Sequence, residues 1–545
     1  MTQSAPDFLA EAKTSGSSLV PLLSGSIGDA LRDAARRWPE RIALVDGVGS
    51  ALQRTRWTYR QLLQQAERYA RALLDEFRVG DAVAIWSPNC PEWVFVEFGA
   101  ALAGLTLVTV NPAYLAPELR HVLGQSDAAG LIFVPEHRGR DLLAIVDEVR
   151  GELPQLRTAI TLSDWLKKVE GVYSVELPLV RPGDIAQIQY TSGTTGFPKG
   201  AQLTHEGLTN VGRLYASAIG TTSKDVWVNP MPLFHTAGCG LVTLGCLQTG
   251  GTQVLPPAYE PDLMLQLIEA ERGTITLSVP TMLIRMLDHP LLATRDLSSW
   301  RLATLGGAPV PPELVRRATE TLRLKVAIGY GLTEASGYFT HTQPDDPRSD
   351  CFLTVGQPLS QIEVKVVDPD SAELLPVDVV GEIWTRSVCV MKGYYKNPEA
   401  TKSAITVDGW LRTGDLGSLD AQGYLSIQGR LKDMIIRGGE NVYPREVEDL
   451  LFTHPAVANV SVVGAPDAVW GESVAAFVQF KPQCEARSEE LETFCRERLA
   501  SYKVPRIWRF VDSYPQTPSG KIQKFALREQ LVQASTVQAA HTLAR

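Results

Sequence analysis

Residues 185–200 read IAQIQYTSGTTGFPKG, and this stretch decides how the rest of the chain is interpreted. Its first part, Ile185–Tyr190, is predicted to form a strand, and Tyr190–Gly200 is rich in glycine and hydroxyl side chains. A loop of this kind after a strand can present backbone N–H groups and side-chain donors to phosphate oxygens, and Lys199 adds a positive charge. The predicted phosphate-binding residues are Thr191, Ser192, Gly193, Thr194, Thr195 and Lys199.

This loop does not follow the Walker pattern. Its last glycine before the lysine, Gly196, is separated from Lys199 by Phe197 and Pro198, and no Gly-Lys-Ser/Thr sequence occurs in the chain. For a loop of merely similar composition, an ordinary flexible turn would be the better interpretation. The order of the residues is too specific for that alternative, so the sequence favours phosphate binding.

Helix-like and strand-like segments alternate in the first part of the chain. Helical spacing of apolar residues predicts helices over Ile27–Arg37 and Tyr59–Phe77, and Thr58 is placed to cap the second. This alternation is typical of layered α/β structure with a mainly parallel sheet. The predicted strands of this part are Ala82–Ile85, Leu105–Val110 and Gly130–Val134.

The later part of the chain has a different pattern of predicted secondary structure. From about 351 to 430, strands with turn signals predict a β-rich subdomain, for example over Ile362–Val367. After Arg430, helices are predicted at Pro444–Phe452 and Ser488–Leu499, with strands between them. We therefore predict a large N-terminal α/β domain over 1–430 and a small α+β C-terminal domain over 431–545.

Composition excludes several classes of protein. The 545 residues are 44% hydrophobic and 21% charged, as in an ordinary globular protein with several cores, and the net charge of −9 disfavours nucleic acid as a main partner. Seven cysteines without a Cys-x-x-Cys pair and eight scattered histidines predict a reducing compartment and no zinc site. The start, Met1–Ser18, lacks a secretory pattern, and no segment predicts a membrane span, so we expect the cytosol.

Further motifs follow the loop in a fixed order. Together with it they resemble the adenylate-forming superfamily, in its acyl-CoA synthetase or fatty-acid–CoA ligase branch, over Tyr190–Gln523. The motifs are PLFHTAG at 232–238, GYGLTE at 329–334, WLRTGD at 410–415, GRLKD at 429–433 and PSGKI at 518–522.

The resemblance implies a site for ATP. In adenylation a carboxylate attacks the α-phosphorus of ATP, so cations must offset the repulsion between two anions. Glu334 is implied to hold Mg²⁺ and Thr333 to donate to the α-phosphate, while Tyr330 flanks adenine beside Gly307 and Ala308. A surface glutamate and an ordinary glycine turn are the plain alternatives.

Four more residues gain a role through the resemblance. Asp415 is implied to accept both ribose hydroxyls, with Arg430 beside it, whereas the local alternative is an Asx-turn. Lys521 is implied to bridge the attacking carboxylate and the α-phosphate; without its motif it would be interpreted as a solvated lysine. His235 is expected to form a wall between the carboxylate and thiol sites, because a lone histidine among apolar residues is more often structural than a proton shuttle.

Two different reactions must share this one site. Lys521 serves the first, and Gly438 and Gly439 resemble the glycine strand that lines the pantetheine tunnel of CoA ligases in the second, although glycines there could simply relieve a bend. Both elements lie on the small domain. The resemblance implies that this domain rotates about a hinge at Lys432.

The acid is predicted to be apolar and medium-sized. Acetate-specific relatives carry a tryptophan where this chain has Gly331, so we expect a deeper acyl pocket with open space at this glycine. The segment Ala237–Gly240 is small, and no Lys or Arg occurs between Asn229 and Glu260 to pair with a second carboxylate. Fatty, aryl and alicyclic acids are not distinguished by these residues.

The predicted function is that of an ATP-dependent carboxylic acid–CoA ligase that uses ATP, Mg²⁺ and coenzyme A. Its partners are then small molecules, and a homodimer is left open. Two alternatives remain: an enzyme that loads a carrier protein instead of CoA, and a non-catalytic nucleotide-binding regulator that retains the fold. Intact Glu334, Asp415, Arg430 and Lys521 disfavour the regulator.

Overall fold

A computed structural model of the chain describes residues 9–171, 173–191, 198–467, 469–516 and 522–532. Capping side chains explain where the first helices begin: Ser26 and Thr58 each accept a hydrogen bond from a backbone N–H of the first turn. The helices are α1 (Ile27–Arg37), α2 (Tyr59–Glu76), α3 (Pro91–Ala103), α4 (Ala116–Gln125), α5 (Leu142–Arg150), α6 (Leu162–Val169), α7 (His205–Ala218), α8 (Gly245–Thr249), α9 (Pro261–Ala270), α10 (Pro280–Leu287), α11 (Pro312–Leu322), α12 (Pro398–Ala404), α13 (Pro444–Phe452) and α14 (Ser488–Arg496).

The strands alternate with these helices as far as residue 341 and then dominate. They are β1 (Lys13–Ser15), β2 (Ile42–Asp46), β3 (Arg56–Thr58), β4 (Ala82–Trp86), β5 (Thr106–Val110), β6 (Gly130–Phe133), β7 (Glu136–His137), β8 (Arg140–Asp141), β9 (Thr158–Thr161), β10 (Ile185–Thr191), β11 (Lys199–Thr204), β12 (Val226–Val228), β13 (Thr252–Leu255), β14 (Ile275–Ser278), β15 (Leu302–Gly306), β16 (Lys325–Leu332), β17 (Gly337–His341), β18 (Gln357–Pro358), β19 (Glu363–Val367), β20 (Gly381–Arg386), β21 (Gly393–Tyr394), β22 (Leu411–Leu419), β23 (Leu425–Arg430), β24 (Ile435–Arg437), β25 (Glu440–Val442), β26 (Val457–Asp467), β27 (Gly471–Phe480) and β28 (Ile507–Phe510).

Two of the sheets are mainly parallel, as predicted. Seven of the described strands form one sheet in the order β21-β11-β10-β5-β4-β6-β9, and nine form the other in the order β18-β17-β16-β15-β14-β12-β13-β2-β3. The interior pairs of both sheets are parallel, and the antiparallel pairs lie toward their ends. The α/β prediction is confirmed.

The β-rich part forms a separate antiparallel sheet. Its described strands have the order β1-β19-β20-β22-β23, so β1 from the beginning of the chain pairs with β19 more than three hundred residues later. The sequence pattern predicted β19 and β20 but not this contribution of β1. Strand β21, although it lies in the same part of the chain, pairs with β11 of the seven-stranded sheet instead.

The small C-terminal part has its own core. Strands β24 to β28 form one sheet, with α13 and α14 packed against it, and its apolar core includes Val447, Leu451, Val462 and Leu491. A last helical stretch at 524–532 packs nearby through Leu527. None of the helices within the described ranges is both long and apolar enough to cross a membrane.

Candidate active site

The phosphate side of the predicted site lies where the two parallel sheets meet. Thr191, at the end of β10, donates a hydrogen bond through Oγ1 to Oε1 of Glu334 at 3.2 Å. Tyr394 of β21 donates its hydroxyl to the same oxygen at 2.9 Å. The root of the predicted phosphate loop and Glu334 are thus adjacent, although 143 residues separate them in sequence.

The predicted phosphate loop connects two neighbouring antiparallel strands. Thr191 and Lys199 are register partners across β10 and β11, and the Nζ of Lys199 lies 5.3 Å from the ring centroid of Tyr394. This places a lysine charge on the ring whose hydroxyl contacts Glu334. The predicted loop residues Ser192, Gly193, Thr194 and Thr195 lie outside the described residues.

Glu334 fits a magnesium ion held mainly through nucleotide phosphates. Two hydroxyl donors fix its Oε1, and these two bonds leave Oε2 as the oxygen for a cation. The described residues contain no group of three or more His, Cys, Asp or Glu side chains that could enclose a metal. A single carboxylate suits Mg²⁺, which keeps waters and substrate phosphates as its other ligands.

The predicted ribose site is a buried carboxylate. Asp415 is 7% exposed, and its register partner across β22 and β23 is Arg430, whose Nε lies 3.1 Å from Oδ1 of Asp415. Tyr330 of β16 donates its hydroxyl to Oδ2 at 2.7 Å. A carboxylate has about four lone-pair positions, so Asp415 can still accept two ribose hydroxyls. The structure brings the three predicted residues together.

Electrostatics favour the protonated forms of Tyr330 and Arg430 beside this carboxylate. Burial, followed by the Asp415 carboxylate, raises the pKa of Tyr330 well above its ordinary value, so its hydroxyl remains a donor. Burial alone would lower the pKa of Arg430, but Asp415 and Asp433 outweigh it and raise that pKa. The Tyr330 ring packs edge-on against Phe339 with centroids 4.8 Å apart, which fixes its orientation.

The glycines assigned to adenine end a parallel strand. Gly306 closes β15 beside Gly329 of β16, and the exposed residues Gly307 and Ala308 follow it. A Cβ on Gly306 would lie 2.1 Å from the Tyr338 hydroxyl, so only glycine fits there. The carboxyl ends of parallel strands are where α/β sheets bind nucleotides.

The expectation of open space at Gly331 is wrong. A Cβ on this residue would lie 1.9 Å from the carbonyl oxygen of Gly337 and 2.6 Å from the Cα of Tyr338. The strand pair of β16 and β17 is irregular here, between Tyr330 and Gly331, and it brings two backbones together. Gly331 is therefore required by backbone packing, and it does not mark an empty acyl pocket.

His235 lies at the start of an unusual helix. Residues Ala237–Leu244 form a buried π-helix, and the backbone N–H of Cys239 donates to the His235 carbonyl at 3.2 Å. The His235 ring is half-buried beside Phe234, with centroids 4.4 Å apart. Thr333 begins a short 3₁₀ turn, Thr333–Ala335, that also contains Glu334. These placements are compatible with a wall role for His235.

Sequence reasoning missed the residues that hold this wall. Asn89 accepts from the N–H of Leu233 at 2.9 Å and donates to the carbonyl of Met231 at 3.0 Å, and Thr109 donates to the Phe234 carbonyl at 2.8 Å. Tyr394, the second donor to Glu334, was also missed. No local pattern marks them, since each acts on a residue more than fifty positions away.

The predicted hinge and the glycine pair lie on the small domain. Lys432 is exposed within the 3₁₀ turn Leu431–Asp433, and its carbonyl accepts from Arg528 at 3.4 Å. Gly438 and Gly439 have φ of +61° and +89° and form the two-residue turn between β24 and β25. They thus form a hairpin tip and not a strand. Lys521 lies outside the described residues.

Comparison with known proteins identifies the family. The model of the AMP-binding enzymes matches residues 31–395, and the model of the AMP-binding enzyme C-terminal domain matches residues 446–521.

Similar proteins cover nearly the whole chain. YngI of Bacillus subtilis (strain 168), an acyl-CoA synthetase by provisional assignment, is 39% identical over 94% of this chain and 98% of its own length. The human mitochondrial medium-chain acyl-CoA ligase ACSF2 is 34% identical over 94% of this chain and 88% of its own. A solved structure of the anthranilate CoA ligase AuaEII with anthranoyl-AMP superposes with a TM-score of 0.86 at 28% identity, covering 95% of this chain and 99% of that one. The chain therefore belongs to the AMP-binding enzymes, in the acyl-CoA synthetase branch of the adenylate-forming superfamily.

Proposed function

We propose that the protein is an ATP-dependent acid–CoA ligase that works through an acyl-adenylate. The observation that carries this proposal is the spacing of two contact groups on one segment. Tyr330 contacts Asp415, and Glu334, four residues later, contacts Thr191 and Tyr394. The Tyr330–Asp415 end of this segment suits a ribose, and the Glu334 end suits a metal ion with phosphates, as a bound ATP requires.

In the first half-reaction, a carboxylate oxygen of the acid attacks the α-phosphorus. A bond forms between them, and the bond to pyrophosphate breaks, with its electron pair leaving on pyrophosphate. Asp415 and Arg430 position the ribose, and the Lys199 and Lys521 charges offset the repulsion between the two anions. Mg²⁺, when bound by Glu334, would neutralise phosphate charge. Thr333 supplies a hydroxyl to the α-phosphate in this assignment.

In the second half-reaction, a thiol sulfur attacks the acyl carbonyl, its proton is released, and AMP leaves with the bond electrons. We assign coenzyme A as this thiol, with the Gly438–Gly439 hairpin tip alongside its pantetheine arm. The two positive φ values suit a turn that a narrow chain can approach closely. The division into domains 1–430 and 431–545, with its hinge at Lys432, belongs to the same proposal.

The acid is proposed to be a medium-chain fatty acid or a similarly sized apolar acid. Support comes from the π-helix Ala237–Leu244, whose described side chains are apolar or small, and from the lack of Lys and Arg between Asn229 and Glu260. The human relative is named for medium-chain acids. An aryl acid is the second candidate, because the AuaEII structure is of an anthranilate ligase.

A panel of acids tests the proposal. Purified protein is given ATP, Mg²⁺ and CoA with fatty acids of increasing length, benzoate-type acids and alicyclic acids, and AMP release is measured. We expect medium-chain fatty acids to have the highest kcat/KM. A preference for aromatic acids would replace the fatty-acid assignment with the aryl one.

Two further measurements separate the remaining alternatives. Acid-dependent ATP–pyrophosphate exchange without CoA-dependent AMP release would indicate a carrier-protein enzyme. No exchange with any acid would overturn catalysis in favour of nucleotide binding alone. The Asp415→Ala variant is the matched control, since it removes the ribose contact and should lose exchange. A cytosolic location stays a prediction beside the mitochondrial name of ACSF2.

A further inference from the structure

A carboxylic acid lies buried behind the wall of the site, and the reaction above does not use it. Glu97 of α3 is 2% exposed, and no salt bridge reaches it within the described parts of the chain. Its Oε1 accepts from Nε2 of Gln187 at 2.9 Å, and its Oε2 is buried without a hydrogen-bond partner among the described residues. A buried carboxyl without a cation is expensive, so its presence calls for an explanation.

The hydrogen bond from Gln187 begins a continuous line of polar contacts. The Oε1 of Gln187 accepts from Nε2 of Gln189 at 2.7 Å, and the Cys239 thiol lies 3.5 Å from the same oxygen. The Cys239 sulfur is also 3.2 Å from Nε2 of Gln189 and 3.3 Å from the carbonyl of His235. The line therefore runs from α3, across β10, to the π-helix and the predicted wall residue.

Strand β10 links this line to the phosphate side. Gln187 and Gln189 point to the same face because strand side chains alternate, and Thr191, two residues further on, contacts Glu334. Thr109, the register partner of Gln189 on β5, holds the Phe234 carbonyl. One strand thus carries both the support of the wall and the root of the phosphate loop.

The chemistry of the line suits positioning better than stabilisation. Burial raises the pKa of Glu97 well above its ordinary value, which favours the protonated form of this carboxyl. An apolar side chain of similar size would avoid the cost of burying it. The line ends on a π-helix, a rare form that is frequently found at functional sites.

We propose that Glu97, Gln187, Gln189 and Cys239 form a positioning network that fixes the π-helix wall against β10. It would thereby set the acyl carboxylate at the correct place relative to the phosphate loop. The statement about the acyl carboxylate rests on the proposed function, whereas the fixing of the wall does not. None of the four is a catalytic residue, because each acts through the position of the wall.

The first test measures the accessibility of the π-helix wall and does not require enzymatic activity. The rate at which a thiol reagent labels Cys239 in the native protein is followed by mass spectrometry, with buried Cys246 of the adjoining α8 as internal reference. Glu97→Met should raise Cys239 labelling about tenfold, the size expected from the loss of one or two hydrogen bonds. Glu97→Gln, which keeps a neutral polar group, should restore the wild-type rate.

Two variants complete this test. Tyr69→Phe, on α2 next to α3, removes a buried hydroxyl that has no hydrogen-bond partner among the described residues, and it should leave Cys239 labelling unchanged. Gln189→Met breaks the line near Cys239 and should raise the labelling of Cys239 as Glu97→Met does. If one of the two variants folds poorly, the other still gives the result. Parallel changes at Cys239 and Cys246, or none at Cys239, would overturn the proposal.

The second test uses the reaction. Glu97→Met and Gln189→Met should raise KM for the acid and shift the preferred acyl length, while KM for ATP stays unchanged, and Glu97→Gln should reverse both effects. A merely structural role would lower the active fraction and leave both KM values as they were, which would count against positioning. If the wild-type protein ligates no acid, the proposed function fails, and the labelling result alone still decides whether the network fixes the wall.

Discussion

The predicted nucleotide site of the large N-terminal part and the predicted reactive elements of the small C-terminal part are built in opposite ways. Asp415 is buried and already bonded to Tyr330 and Arg430. By contrast, Gly438 and Gly439 lie exposed at a hairpin tip. A site that holds the AMP part of the nucleotide through both half-reactions gains from being preformed. Groups that serve only one half-reaction must move into and out of the active site, which requires that they make few fixed contacts there.

The sharpest test of this contrast is Lys521→Ala. It should lower acid-dependent pyrophosphate release by about 10²-fold or more, because it removes a charge between two reacting anions. Thioester formation from synthetic acyl-adenylate should continue at nearly the wild-type rate. Equal losses in the two half-reactions would mean that Lys521 supports the whole site and not one step.

Lys432→Pro tests whether movement is needed. Proline fixes φ near −65°, so a proline at Lys432, in the turn Leu431–Asp433, should restrict rotation of the backbone there. We expect it to keep adenylation and to lose thioester formation by about 10²-fold. Stopped-flow measurement of each half-reaction checks this. Lys432→Ala is the control and should be mild, and equal losses or none would place the hinge elsewhere.

Asp415→Asn tests the preformed side. Loss of a charged acceptor should raise KM for ATP about 10- to 100-fold, and it should impair both half-reactions, because both bind the ribose. Tyr330→Phe should cost less, and the double variant should lose less than the sum, since the two groups are bonded to each other. An effect confined to adenylation would contradict a ribose role.

Gly331→Ala tests the corrected interpretation of that glycine. Because a Cβ would overlap the Gly337 carbonyl, even alanine should destabilise the fold by about 1–3 kcal/mol and raise KM for ATP through Tyr330. Thermal melting and ATP kinetics measure this, with Gly151→Ala as the control for a glycine change in open space, because Gly151 has a φ of −63° and a Cβ there would meet no atom within 4 Å. A wild-type Tm in Gly331→Ala, with a shortened acyl preference in Gly331→Trp, would restore the pocket interpretation.

The smallest predicted effect is on the pH dependence of folding stability. Burial raises the pKa of Glu97 above 4.5, so the folded chain keeps a proton that the unfolded chain loses as pH rises. This raised pKa therefore makes stability fall from about pH 5 upward until the folded pKa is passed. The titratable group that faces Glu97 is Cys239, whose own pKa is raised by burial and then by Glu97.

Glu97→Gln removes this titration and replaces the carboxyl with an amide of similar size and polarity. Its Tm relative to wild type should rise by roughly one to a few degrees between about pH 5 and pH 8. Melting curves at matched pH values measure the difference. A difference that stays constant with pH would mean that Glu97 does not hold its proton in the folded state.

Much of the architecture follows from local patterns in the sequence. Helices α1 and α2 begin where Ser26 and Thr58 cap them, and β4, β5 and β6 match the apolar runs that predicted them. The roles of the nucleotide residues came from the family resemblance and stay predictions; that resemblance could be recognised because each residue belongs to a short motif whose members are neighbours in sequence. Alternation of helices and strands was enough to predict parallel α/β layers.

Only the tertiary structure decided which distant groups meet. Tyr394 reaches Glu334, Gln187 reaches Glu97, and β1 joins a sheet formed by strands that follow residue 362. The space at Gly331 is filled by the backbone of Gly337, which no property of glycine itself reveals. Periodicity and capping act within a few residues along the chain, whereas these contacts depend on how whole sheets pack, and so the sequence alone determined the motifs and not their neighbours.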